Sequence, residues 1–155
     1  MNKDLCLKII MREEESNIFK PKPYYCSEGY PTYGWGFRIG NKHERLPNIE
    51  ITREDGDKKL LSLVETAISS LERNQDTAAA FNNANDERKA IMVSMVYQLG
   101  MYGFLKFKKF IRCANMKNWA GAADEMMDSL AAKQAPNRFK RQSDVIRTGS
   151  VEGVY

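Results

Sequence analysis

Tyr24-Tyr25-Cys26-Ser27-Glu28-Gly29-Tyr30-Pro31-Thr32-Tyr33-Gly34-Trp35-Gly36 is the segment around which the chain is organised, and the acidic run Glu13-Glu14-Glu15 stands shortly before it. Glu28-Gly29 has turn chemistry, because glycine takes positive φ at little steric cost. Beyond the turn, Tyr30, Thr32 and Gly34 alternate with Pro31, Tyr33 and Trp35, which is the period of a strand. The stretch therefore reads as a small hairpin. Its glycines admit close approach of a backbone or ligand, and Thr32 and Cys26 offer a hydroxyl and a thiol.

On the N-terminal side, Leu5, Cys6, Leu7, Ile9, Ile10 and Met11 recur at helical spacing, so a helix is expected over residues 4–14. The glutamates then fall at its C-terminal end, where the helix dipole and their mutual repulsion both disfavour negative charge. One of these carboxyls is expected to have a raised pKa. Lys20-Pro21-Lys22-Pro23 forbids helix and reads as an extended connecting loop.

Beyond the hairpin, Phe37-Arg38-Ile39-Gly40 reads as a third short strand or loop, followed by a polar connection over residues 41–48. Thr52-x-x-Asp55 is a capping signal, and Leu60, Val64, Ala67, Ile68 and Leu71 continue at helical spacing. A long helix over residues 53–73 is expected to tie the β-containing part, residues 13–52, to a helical part, residues 74–155. In that second part Asn85 caps a helix that is apolar almost all round and that Gly100 ends. Three more helices are expected over residues 104–113, 119–132 and 136–147, the second capped by Asn118 and the last opened by Pro136. The fold class is α+β and mostly helical, with a small hairpin-containing N-terminal lobe and an all-helical C-terminal lobe on which the first helix packs.

The 155 residues suffice for one domain with its own core, and their composition has no disordered or low-complexity character. Cys6, Cys26 and Cys113 are odd in number and far apart, and His43 is the single histidine, so neither a disulfide framework nor a zinc site is expected. His43 without an orienting partner argues against a thiol protease and reads as structural or idle. The first residues form an amphipathic segment broken by Lys8 and Arg12 rather than a signal peptide, which places synthesis in the cytosol. Net charge is +4, and the excess lies in the C-terminal part, in residues such as Lys106, Lys108, Lys109, Arg112 and Lys117. Such a lobe suits an anionic partner. No nucleic-acid recognition motif accompanies it.

A protonated acid facing an activated water is the arrangement that cleaves glycosidic bonds. Glu15, then Cys26-x5-Thr32-x-Gly34-x-Gly36 with Glu28-Gly29-Tyr30 between, resembles the phage-type lysozyme family. So, in order, do Ile51-Thr52, Met95-Val96-Tyr97-Gln98-Leu99-Gly100, Trp119 with its following alanines, Gln134-Ala135-Pro136-Asn137-Arg138 and Arg147-Thr148-Gly149. The resemblance covers nearly the whole chain. It implies a bacteriophage endolysin that hydrolyses the β-1,4 bond between N-acetylmuramic acid and N-acetylglucosamine in peptidoglycan. Glu15 would be the general acid, with Glu14 as the alternative, Cys26 would stand where an aspartate usually positions the attacking water, and Thr32 would help hold that water. Tyr97, Gln98 and Phe107 would line the cleft as substrate-binding residues, and Arg138 would brace the start of the last helix.

Glu15 and Cys26 stand two residues further apart than in the family motif, which implies an insertion at Lys20-Pro21-Lys22-Pro23. Phe37 replaces a histidine common in the family. With a thiol at Cys26, two schemes stay open: water attack with inversion, or thiolate attack with retention through a covalent intermediate. The resemblance further implies no cofactor or metal, no nucleic-acid partner, no stable membrane insertion and a monomer. It implies residence in the host cytoplasm until a holin gives access to the periplasm and wall. The alternative function is a non-catalytic peptidoglycan-binding or scaffolding domain with a decayed site.

Overall fold

In the computed structural model, which describes residues 1–14 and 17–155, a small antiparallel sheet near the N-terminus is followed by a long run of helices. Helix α1, Lys3–Glu13, starts at Asn2, whose side chain accepts from the Leu5 N–H at 3.0 Å. It buries Cys6, Ile9 and Ile10, the apolar stripe its spacing requires, and packs against the fourth and second helices of the chain.

Strands β1 (Lys20–Tyr25), β2 (Pro31–Gly34) and β3 (Phe37–Arg38) form the sheet in that spatial order. Lys20-Pro21-Lys22-Pro23, expected as a loop, belongs to β1. The strand tolerates its prolines because it is an edge strand and its pairing is interrupted where they sit. Lys20 faces Gly34 and Tyr24 faces Thr32, so four steps along β1 oppose two along β2. That register shift absorbs two residues in a bulge, at the place where the sequence suggests an insertion.

Helix α2, Arg53–Arg73, has its expected bounds, and Thr52 Oγ1 accepts from the Asp55 N–H at 3.1 Å. A short helix not expected from the sequence, α3 (Ala78–Asn83), fills the gap before α4 (Asp86–Leu105), which Asn85 caps. Gly100, at φ 73, breaks α4 as expected, but one further turn follows it. The helix expected over 104–113 is therefore shifted. Phe104 and Leu105 end α4, Phe107 stands at the N-cap position, and α5 spans Lys108–Asn115.

The helix expected over 119–132 is two: α6 (Trp119–Met127) and α7 (Leu130–Gln134). Ser129 divides them, donating to the Met126 carbonyl at 2.7 Å and accepting from the Ala132 N–H at 3.0 Å. Helix α8, Pro136–Thr148, closes on Gly149 in the left-handed conformation. One continuous apolar core runs from Ile9, Trp35 and Phe37 through Leu60 and Ile91 to Phe139 and Ile146.

Candidate active site

A cleft of about 1090 Å³ opens between the sheet and α2 on one side and the end of α4, α7 and the start of α8 on the other. Of the residues expected at the site, Cys26, Thr32, Tyr97 and Gln98 line it. Glu15 lies outside the described residues. The described carboxylate of the acidic run that lines the cleft is Glu14, the C-cap residue of α1.

Glu14 is held from two directions. Arg138 on α8, whose side chain is 11% exposed, donates to Glu14 Oε1 at 3.3 Å. On the other side, a Cβ built on Gly36 would stand 2.5 Å from Glu14 Oε2. A side chain there would displace the Glu14 carboxylate, and the φ of +77° at Gly36 favours glycine independently. The second glycine of Gly34-Trp35-Gly36 thus brings the tip of the sheet up against the acid.

The turn is tied in place by its tryptophan. Trp35 is 1% exposed, its Nε1 donates to Asp57 Oδ1 on α2 at 2.8 Å, and its carbonyl accepts from the Tyr97 hydroxyl on α4. Tyr97 is thereby a strut between the helical wall and the turn that carries Gly36. Burial, reinforced by the Glu14 charge, pushes its phenol well above the ordinary range, so it remains a donor throughout physiological pH.

Glu13, next to the site, behaves differently. Its side chain is 1% exposed and accepts from both Arg141 Nε and Nη2, at 2.7 and 2.8 Å, and from the hydroxyl of Tyr155 at 2.6 Å. Burial alone would raise its pKa, but the hydrogen bonds from Arg141 and Tyr155 and the charges of Arg138 and Arg141 outweigh burial and hold it below the usual carboxylate range. At this carboxyl the shift is opposite to the raised pKa expected within the acidic run, because α8 delivers two arginines that local spacing does not reveal.

On the hairpin, the Cys26 N–H donates to the Tyr30 carbonyl at 3.0 Å and its carbonyl accepts from the Gly29 N–H at 2.9 Å, closing the turn. Partial burial works against the thiolate, yet backbone hydrogen bonds from Tyr30 and Glu28, the Thr32 hydroxyl and the Arg38 charge prevail, so the thiol lies below its ordinary pKa. Thr32 is 2% exposed and gives its hydroxyl proton to the Tyr30 carbonyl at 2.8 Å. In that rotamer its remaining lone pairs can accept from a water or the thiol, whereas stabilising the thiolate requires the proton to turn toward sulfur.

Phe107, expected to line the cleft, stacks on Phe139 with 6.2 Å between ring centroids and is absent from the lining residues, because its place before α5 turns it into the helical core. Arg138, expected as a brace, does more: besides Glu14 it donates to Ser94 Oγ at 3.2 Å, which also accepts from the buried Gln142. The signal in the sequence was the i, i+3 pair Arg138 and Arg141, which share a helix face and take Glu14 and Glu13 respectively. Phe37, in the position where a histidine is common, is 4% exposed with Lys59 Nζ 4.7 Å from its ring centroid, a cation–π contact in place of an ion pair. His43 packs its ring against Gly29 and donates its backbone N–H to the Gly29 carbonyl at 2.8 Å.

The sequence matches the family described as phage lysozyme over residues 14–141, a span that begins at Glu14. Among similar proteins are Probable T4-type lysozyme 1 of Dictyostelium discoideum, 28% identical over 94% of this chain and 95% of that protein, and Probable T4-type lysozyme 2 of the same organism, 31% identical over 94% and 96%. The Pre-baseplate central spike protein Gp5 of Enterobacteria phage T4 is 25% identical over 97% of this chain and 29% of its own length.

Proposed function

Because the chain belongs to the phage lysozyme family, we propose that it is a muramidase, cutting the β-1,4 bond between N-acetylmuramic acid and N-acetylglucosamine with Glu14 as general acid. The observation that carries this reading is the Glu14 carboxylate lodged between Arg138 and Gly36, in one cleft with Cys26 and Thr32.

Each group has a task in that reaction. Glu14 protonates the leaving glycosidic oxygen, and Arg138 stabilises the carboxylate that proton transfer leaves behind. Thr32 and Cys26 hold the attacking water, and the Cys26 thiolate, whose negative charge its surroundings stabilise, takes the proton that water loses, in place of the missing aspartate. Tyr97 braces the turn that carries Gly36, and Tyr97 and Gln98 line the helical wall of the cleft. Water attack gives inversion at the anomeric carbon. The biological role we propose is lysis of the host cell, with a holin giving access to the wall, a peptidoglycan substrate, and action as a monomer.

Digestion of purified sacculi followed by identification of the new reducing end tests the reaction. The expected product ends in reducing N-acetylmuramic acid, first formed as the inverted anomer. Reducing N-acetylglucosamine or an anhydromuramic end contradicts the proposal. Glu14→Gln is expected to lower the rate by about 10²–10⁴ while sacculus binding persists. Binding by the native protein with no product from it would instead establish the wall-binding alternative.

A further inference from the structure

Successive helical residues turn by about 100°, so along α5 and its C-cap Lys108, Lys109, Arg112 and Met116 fall in one arc, opposite Phe110, Ile111 and Ala114. The structure follows this division: the first four are exposed, and the last three are buried in the core. Lys106 and Lys117 extend the basic face at either end, both exposed, and Lys106 Nζ sits 4.8 Å from the centroid of the Tyr102 ring. Tyr102 and Met116, at 79% and 74% exposure, are the most exposed large apolar side chains among the described residues.

Among the described residues no counter-charge is paired with this face. Not one Asp or Glu occurs between Glu87 and Asp124, and none of the five cations forms an ion pair among the described residues, unlike Lys140 with Asp144 or Arg147 with Asp124. It also lies outside the cleft, whose lining reaches Gly100 and Met101 but none of these residues.

We propose that the α5 face docks the protein, peripherally and reversibly, on an anionic phospholipid bilayer, with the five cations meeting headgroup phosphates and Tyr102 and Met116 entering the interfacial layer. Charge complementarity selects a polyanion, and a bilayer's interfacial layer takes both the Tyr102 ring and the unbranched Met116 thioether, which has no ring to stack on a base or sugar. A single helix face of this kind does not insert stably, so the contact is salt-sensitive. It is independent of the hydrolytic reading, and the surface holds whether or not Glu14 acts as an acid.

The test is co-sedimentation with vesicles of phosphatidylglycerol and phosphatidylcholine, against phosphatidylcholine alone. Native protein is expected to bind only the anionic vesicles and to dissociate at high salt. At roughly fivefold per basic residue, Lys108→Gln/Lys109→Gln/Arg112→Gln lowers vesicle partitioning about a hundredfold. Removing three exposed cations elsewhere, Lys8→Gln/Lys42→Gln/Arg45→Gln, leaves most of it. Tyr102→Ser/Met116→Ser weakens binding while retaining its salt dependence. Far-UV circular dichroism and a cooperative thermal melt at the native Tm establish that each variant is folded. Absence of binding to anionic vesicles, equal loss in the two triple variants, or a triple-variant defect confined to sacculi or RNA overturns the proposal.

Discussion

Gly36 and Glu14 touch so closely that the smallest possible side chain on the glycine would stand 2.5 Å from Glu14 Oε2. An alanine there forces one of them to move, and it also holds a left-handed φ that disfavours L side chains by about 1–2 kcal/mol. Gly36→Ala is therefore expected to lower Tm and, in protein still folded, to reduce the turnover of peptidoglycan at least tenfold. Thermal denaturation and a product-release assay on one preparation separate the two effects.

Glu13 gives the protein an acid-sensitive fastening between α1, α8 and the C-terminal Tyr155. Its folded-state pKa is depressed, so its contribution to stability is complete above the ordinary carboxyl value of about 4.3 and is lost as pH falls through the lower folded value. Arg141 stays partly solvated, so the loss on Glu13→Gln is expected at about 2 kcal/mol, below the range for fully buried pairs. Urea denaturation should show this gap at neutral pH and its disappearance at the acid end. A gap independent of pH would mean that packing, not charge, is what the carboxylate supplies.

Cys26 and Cys6 should differ sharply as nucleophiles. Cys26, half-exposed in the cleft with its pKa lowered, is expected to react with iodoacetamide at a pH below the half-point of about 8.5 for a free thiol. Cys6 is fully buried, and burial first, then the charge of Asp86, pushes it up to about 12, so it stays unmodified in the folded protein. Rates measured across pH in a Cys113→Ser background, with Cys26→Ser as control, report the first. Activity lost in step with alkylation ties the thiol to the site, and Cys26→Asp is expected to remain active and become resistant.

Much of the helical part was legible because its signals are local. The Thr52 cap and the apolar stripe on α2 lie within the helix they define, and both bounds of that helix follow from them. Helix α3 escaped notice because Ala78–Asn83 is too short to display a stripe and has no side-chain cap. The division at Ser129 and the extra turn after Gly100 depend on hydrogen bonds that composition does not announce. At the site, the hairpin's turn and period placed Cys26 and Thr32, and Tyr97 and Gln98 followed from the likeness of their segment to the family. The choice among three consecutive glutamates was not legible. Three consecutive residues of one type carry no local signal that separates them, and the partner of Glu14, Arg138, arrives from 124 residues further along the chain.

Clearing of chloroform-permeabilised Gram-negative cells, followed as falling turbidity, tests Glu14 most directly when native protein, Glu14→Gln and Glu15→Gln are compared at equal concentration of folded protein. Clearing by native protein and by Glu15→Gln, with a rate at least a hundredfold lower for Glu14→Gln, is the predicted result. Clearing by Glu14→Gln at close to the native rate would contradict it.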